Sequence, residues 1–147
     1  MYFDDLKVGM PVDTAPVVIE KEKMIAFAQE YDPIPLHLDE AYAKNSPFGQ
    51  LIAPGVMSFM SIWAKYLEVS FYGNELLAGK STKIEWEKPV YAGDTLTGKA
   101  SITNLTKRSA KNGIVEVSLD VYNQNGTLVL KNTTEAIVKC KPNNENI

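Results

Sequence analysis

The chain has 147 residues, of which 45% are hydrophobic and 22% charged, and its formal net charge is −3. This length and composition suit one globular domain, and the mild acidity gives no reason to expect binding to nucleic acid or an anionic membrane surface. No apolar run is long enough to span a membrane. The lone Cys140 excludes an internal disulfide framework, and the early charges of Asp4 and Asp5 do not suit a secretory signal, so a cytoplasmic protein is predicted.

The N-terminal part of the chain predicts short elements. In chain order they are an arm (1–11), a strand (12–20), a helix (21–31), a second short helix (39–44) and a loop (46–49). The first helix has apolar side chains at helical spacing and is ended by Pro33. Asp39 is expected to cap the second helix, because a carboxylate at this position accepts a hydrogen bond from a free backbone N–H group.

Between these two helices lies the only histidine of the sequence, His37, five residues after Asp32. Pro33 disfavours helical backbone at Asp32 and cannot donate a hydrogen bond to the preceding turn, so the chain must bend here. A bend can direct a carboxylate and an imidazole toward one point. The functional interpretation is an acid/base pair that holds one water, and the alternative is a surface turn with a packed histidine.

Residues 54–69 predict a long helix. Its first eleven residues carry no charge, and its apolar side chains cover most of the circumference. A surface helix has an apolar stripe, whereas a helix that is apolar nearly all round is buried. Ser58 and Ser61 within it are expected to bond back to the helix backbone rather than to act as nucleophiles.

The start of this helix is a second candidate site. Pro54 suits the first helical position, and Gly55 permits close approach of another group to the backbone. The free N–H groups of the first turn can bind a developing negative charge. The alternative interpretation is that Gly55 serves packing alone.

The rest of the chain predicts an antiparallel meander. Asn112-Gly113 and Asn125-Gly126 are hairpin signals between β-rich segments. These segments are 82–87, 95–107, 114–122 and 127–139, and in the third Val115, Val117, Leu119 and Val121 are expected to face inward. The order of elements indicates one α+β domain over 1–147, with about five strands around the long helix and a disordered polar tail at 142–147. Sheet edges need covering, so edge-to-edge pairing of two subunits is expected.

Two strings of residues resemble the signature of the MaoC-like, (R)-specific enoyl-CoA hydratases. The first is Phe27-Ala28, then Asp32-x-x-Pro35-Leu36-His37-x-Asp39, then Ala43-x-x-Ser46-x-Phe48-Gly49-x-x-Ile52-Ala53-x-Gly55. The second is Lys88-Pro89-Val90-x-x-Gly93-Asp94-x-Leu96. The resemblance implies a hotdog fold, in which an antiparallel sheet wraps a long central helix, and a homodimer or a dimer-based oligomer.

The resemblance also implies a reaction on an acyl-CoA thioester. Asp32 and His37 would bind one water and add it syn across a trans-2-enoyl thioester to give the (R)-3-hydroxyacyl product, or remove it in the reverse dehydration. The N–H of Gly55 would hold the thioester oxygen. CoA enters as part of the substrate, so no separate cofactor is expected, and no metal is expected because carboxylates do not cluster at a ligand spacing.

The sequence departs from the family pattern at three positions. Tyr31 replaces a glycine, Ile34 replaces an asparagine, and Pro54 stands where a histidine commonly precedes Gly55. Ile34 cannot hydrogen-bond through its side chain, and together with Tyr31 it could reshape the pocket that binds the acyl group. Phe48 is also expected to contribute to substrate binding in this pocket. Two other functions therefore stay open, a hotdog acyl-CoA thioesterase and a non-catalytic acyl-CoA-binding protein.

Overall fold

The computed structural model describes residues 1–142, so that all of the predicted tail except Pro142 lies outside the described residues. The strands are β1 (Pro11–Asp13), β2 (Val17–Val18), β3 (Leu76–Trp86), β4 (Thr95–Lys107), β5 (Asn112–Tyr122) and β6 (Leu128–Lys139). The helices are α1 (Lys21–Tyr31), α2 (Pro35–Leu38), α3 (Glu40–Lys44) and α4 (Gly55–Val69). Short 3₁₀ helices lie at Phe3–Asp5 and Gly73–Glu75.

The strands form one antiparallel sheet in the order β1-β4-β5-β6-β3, and β2 also pairs with β4. The predicted alternation of β5 is confirmed, because its four inward side chains are at most 2% exposed. These side chains are Val115, Val117, Leu119 and Val121. Strand β3 stands at one end of this order and pairs with β6 alone among the described strands, so one long edge of the sheet has no partner.

Helix α4 packs on the sheet through fully buried side chains such as Ile62 and Tyr66. Gly98 of β4 lets the helix come close, because a Cβ at this position would lie 2.9 Å from Cδ1 of Leu119 and 3.2 Å from Cγ1 of Ile62. The C-terminal end of α4 is tied down by a buried hydrogen bond between the hydroxyls of Tyr66 and Tyr72, 2.9 Å apart. The sheet and α4 therefore share one core.

The other side of α4 differs from the expected burial all round. Val56, Met60 and Leu67 are 47%, 49% and 40% exposed, and they recur at helical spacing along one face. The single chain therefore covers α4 from the sheet side only and leaves an apolar stripe, defined here as Val56, Met60 and Leu67, facing outward.

Several boundaries also differ from the sequence prediction. The expected strand at 12–20 is two short strands, since Thr14 turns its hydroxyl to accept a hydrogen bond from the N–H of Gly98 at 2.9 Å. Asn112-Gly113 forms the start of β5 rather than the turn between β4 and β5, which lies just before β5. This turn is closed by the N–H groups of Arg108 and Ser109, which both donate to the Asn112 carbonyl. Gly113 is needed in the strand because the Phe3 ring occupies the place of a Cβ.

Candidate active site

The bend after α1 is held by backbone hydrogen bonds. The N–H of Asp32 donates to the Ala28 carbonyl at 2.9 Å and ends the helix. The N–H of Ile34 then donates to the Asp32 carbonyl at 2.8 Å, and the N–H of His37 donates to the Ile34 carbonyl at 3.0 Å. This path brings Oδ2 of Asp32 to 3.2 Å from Nε2 of His37, so the two predicted residues meet.

His37 lies in α2, is 5% exposed, and is fixed from its other side. Its Nδ1 lies 2.7 Å from the carbonyl oxygen of Ile52. A carbonyl oxygen only accepts, so Nδ1 must carry the hydrogen. In the neutral imidazole Nε2 therefore has a free lone pair, and this lone pair is on the nitrogen that faces Asp32.

The segment that contains Ile52 is held in place by main-chain hydrogen bonds on both sides. The N–H of Ile52 donates to the Leu36 carbonyl at 3.2 Å, and the N–H of Ala53 donates to the Val90 carbonyl at 2.7 Å. Ile52 also forms an isolated antiparallel bridge with Tyr91. The acceptor of His37 is thus held between α2 and the connection that follows β3.

Asp94 holds that connection in place. It is buried, and its carboxylate accepts hydrogen bonds from the N–H of Tyr91 and from Nε2 of Gln124, both at 2.9 Å. The second string of the sequence, which contains Val90 and Asp94, indicated that this loop matters. It gave no indication that the loop supports His37 by way of Ile52.

The start of α4 offers unpaired backbone donors. Pro54 is buried and is the N-cap of α4, whereas the sequence predicted it as the first helical residue. Its side chain has no oxygen that could accept a hydrogen bond from the first-turn N–H groups. The first hydrogen bond of the helix runs from the N–H of Ser58 to the Pro54 carbonyl at 3.0 Å. The N–H groups from Gly55 onward in the first turn have no acceptor in the helix, and no acidic side chain lies in that turn. These groups can stabilise negative charge on a ligand.

A cavity of about 440 Å³ lies between the bend, the start of α4 and the end of β3. Its lining includes four of the predicted site residues, namely Asp32, His37, Phe48 and Gly55. Nine other lining residues were not predicted as site residues, among them Trp86 at the end of β3 and Ser58 in α4. The carboxylate–imidazole pair and the first residue of α4 therefore border one shared space.

The other three predicted residues do not line this cavity. Tyr31 is 68% exposed and packs against Phe27 with a ring separation of 5.2 Å, and Ile34 is 43% exposed. Pro54 acts through its backbone as the cap of α4. Tyr31 and Ile34 therefore do not line the pocket that they were expected to reshape. The bend is held by main-chain hydrogen bonds, which residue 34 makes whatever its side chain.

The two serines of α4 behave differently. Ser61 bonds back as predicted, since its hydroxyl donates to the Met57 carbonyl at 2.8 Å. The hydroxyl of Ser58, which is 1% exposed, lies 3.5 Å from the Pro54 carbonyl, at the limit for a hydrogen bond. The hydroxyl of Ser58, which lines the cavity, would therefore lose only a weak hydrogen bond by turning to a ligand.

Residues 1–142 contain neither a metal site nor a membrane-spanning helix. No group of three or more His, Cys, Asp or Glu side chains there is arranged to hold a metal ion. No helix in this part of the chain has the length and apolar character needed to cross a membrane.

Comparison with known proteins identifies the family. Residues 5–124 match the family model of the MaoC like domain. The chain belongs to this family. The predicted α+β class and hotdog fold are confirmed by the structural similarity to (R)-hydratases.

Four comparisons show how far the similarity extends. The Bacillus subtilis protein YdeM is 28% identical over 140 residues, which is 95% of this chain and 99% of that protein. A MaoC-like dehydratase from Rhodospirillum rubrum is 30% identical with a TM-score of 0.84, covering 97% of this chain and 99% of that one. The (R)-specific enoyl-CoA hydratase of Aeromonas caviae is 28% identical over 115 residues, 78% of each protein. A solved (R)-hydratase from A. caviae has a TM-score of 0.71 over 92% of this chain and 98% of that one.

The tautomer of His37 can be tested directly because the chain has one histidine. In protein with ¹⁵N-labelled histidine, at a pH where the imidazole is neutral, NMR should show the hydrogen on Nδ1 and a bare Nε2. The Asp32→Asn variant should keep this tautomer, since the Ile52 carbonyl sets it. A neutral ring with its hydrogen on Nε2 would contradict the assigned hydrogen bond.

Proposed function

We propose that the protein is an (R)-specific enoyl-CoA hydratase, or 3-hydroxyacyl-CoA dehydratase in the reverse direction. The observation that carries the proposal is the 3.2 Å contact between Asp32 and His37 on the wall of a cavity that also contains the start of α4. Membership of the MaoC-like family and the similarity to an (R)-specific enoyl-CoA hydratase support it. A cytoplasmic location is proposed with it.

The proton path follows from the tautomer. One water lies against the pair, and the ionised carboxylate of Asp32 takes a proton from it as the water oxygen bonds to C3 of the enoyl thioester. Electrons of the C2–C3 double bond move to the thioester oxygen and form an enolate. Asp32 passes its proton across the 3.2 Å contact to the bare Nε2 of His37, and His37 delivers it to C2. Asp32 and His37 return to their starting protonation states, and one water has supplied both the hydroxyl on C3 and the proton on C2.

This path also accounts for syn addition. Asp32 and His37 lie on the same wall of the cavity, so hydroxyl and proton reach the same face of the double bond. The (R) configuration of the product is proposed from the named specificity of the A. caviae relative.

The enolate oxygen needs stabilisation in the same cavity. The N–H of Gly55 lies in the first turn of α4, where the helix dipole and unpaired donors favour negative charge. Pro54 suits this role because a proline at the cap cannot occupy those donors with a side-chain oxygen. Phe48 and other apolar side chains of the lining would contact the acyl group.

A second copy of the chain is the partner that the surface suits best. The edge of β3 has no strand partner within residues 1–142, and the apolar stripe of α4 is exposed as well. Exposed edges and apolar patches of this kind are usually covered in soluble proteins. A homodimer that pairs the β3 edges and covers the stripe would satisfy both.

The catalytic assignment is tested by two substitutions. Asp32→Asn and His37→Ala should each lower kcat for hydration of crotonyl-CoA by roughly 10²- to 10⁴-fold, because each removes one stage of the proton path. His37→Asn should be equally inactive, although its amide can still donate to the Ile52 carbonyl and preserve the fold. Loss of the enoyl thioester absorbance measures the rate, and circular dichroism checks folding.

The matched control is Asp39→Asn, which changes a nearby carboxylate outside the cavity and leaves a good cap for α3. It should keep full activity. Undiminished hydration in the Asp32 or His37 variants would refute the assignment. Release of free thiol without hydration would identify a thioesterase, and acyl-CoA binding without either reaction would identify a non-catalytic binding protein.

The dimer is tested by adding a charge to the stripe. The wild-type protein should show twice the chain mass in light scattering, and Met60→Asp should shift it to the mass of one chain because a buried carboxylate opposes association. Val8→Asp is the control, since Val8 is 62% exposed and lies outside the stripe. A wild-type mass of one chain at micromolar concentration would contradict the proposed dimer.

A further inference from the structure

Trp86 lines the cavity and takes no part in the proton path proposed above. It ends β3 opposite Leu130 of β6, and its side chain is half exposed. The indole reaches across to the start of α4 and occupies the place that a Cβ on Gly55 would take. Its Nε1 lies 2.5 Å from that place.

The part of the indole that meets Gly55 is the edge that carries the N–H group. The ring atoms nearest to the place of a Cβ on Gly55 include Nε1 and its neighbour Cε2. An indole N–H is a donor only, and at a half-exposed side chain it can exchange water for a ligand oxygen. Within residues 1–142 the Nε1–H of Trp86 has no hydrogen-bond acceptor, and Trp86 lines the cavity. It is therefore available to a ligand.

Two available donors thus border the same space. One is the backbone N–H of Gly55 in the first turn of α4, and the other is the indole N–H of Trp86 beside it. A ligand oxygen that accepts from Gly55 lies next to the indole edge. Oxyanion sites work best when several fixed donors converge where charge develops.

We propose that Nε1–H of Trp86 and the N–H of Gly55 together hold the thioester oxygen, so that Trp86 is a catalytic residue of the site. This inference rests on the proposed function. It also assigns a reason for glycine at position 55, because any side chain there would push the indole away from the helix start. No bond to Trp86 forms or breaks, since it only donates a hydrogen bond that strengthens as the oxygen gains charge.

A purely structural role for Trp86 predicts something different. An indole that only fills the wall would affect substrate affinity and stability, and its loss would raise KM with little change in kcat. A donor to the enolate acts mainly in the transition state, so its loss lowers kcat with little change in KM. The two roles are therefore separable by kinetics.

The decisive variant is Trp86→Phe, which keeps an aromatic ring on the wall and removes the N–H. With crotonyl-CoA, kcat should fall about 10- to 100-fold, KM should change less than about 3-fold, and the melting temperature should hold. A kcat within 2-fold of the wild type, or a loss confined to KM, would overturn the inference. An inactive wild type would instead refute the proposed hydratase.

A binding measurement keeps the inference testable even without turnover. Butyryl-CoA has the thioester oxygen but no double bond, so it should bind and not react. In ¹⁵N-tryptophan-labelled protein, the indole N–H signal of Trp86 is identified by its absence from the Trp86→Phe variant. This signal should move downfield when butyryl-CoA is added. The signal of Trp63, which is the other tryptophan of the chain, serves as the internal reference. Saturation of the protein without movement of the Trp86 signal would count against the contact.

Discussion

The hydrogen bond from Nδ1 of His37 to the Ile52 carbonyl connects the chemistry of the site to the fold, because it determines which imidazole nitrogen faces Asp32. The bond depends on where the Ile52 carbonyl points. That direction is set by main-chain bonds to Leu36 on one side and by the Ala53–Val90 bond on the other. Asp94 in turn fixes the loop that carries Val90, so a buried carboxylate far along the chain supports the histidine.

Backbone geometry also explains how the site tolerates its departures from the family pattern. The bend from Asp32 to His37 is fastened by main-chain N–H and carbonyl groups, which an isoleucine at 34 supplies as well as an asparagine would. Tyr31 and Ile34 are exposed and do not line the cavity. Pro54 leaves the first-turn donors of α4 unoccupied. None of the three residues therefore lines the cavity.

The sequence predicted best where a local rule decides the structure. Pro33 must end α1 and force a bend, and α1 occupies the predicted 21–31. Asp39 caps α3, and the alternation of β5 identifies its buried face. The signal at Asn112-Gly113 correctly marked the hairpin between β4 and β5 but misplaced its turn, since Gly113 stands in β5 and contacts Phe3, which is distant in the chain. Ile52 and Trp86 were missed for the same reason, since their roles come from tertiary contacts with His37 and Gly55 that no local pattern encodes.

Asp32, His37 and the start of α4 are proposed to act together on one enoyl thioester. A crystal structure of the slow Asp32→Asn variant with crotonyl-CoA bound would show whether they do. We expect C3 of the enoyl group against the side chains at positions 32 and 37, and the thioester oxygen about 3 Å from the N–H of Gly55. A thioester bound elsewhere, or one that presents its carbonyl carbon rather than C3 to the pair, would refute this arrangement.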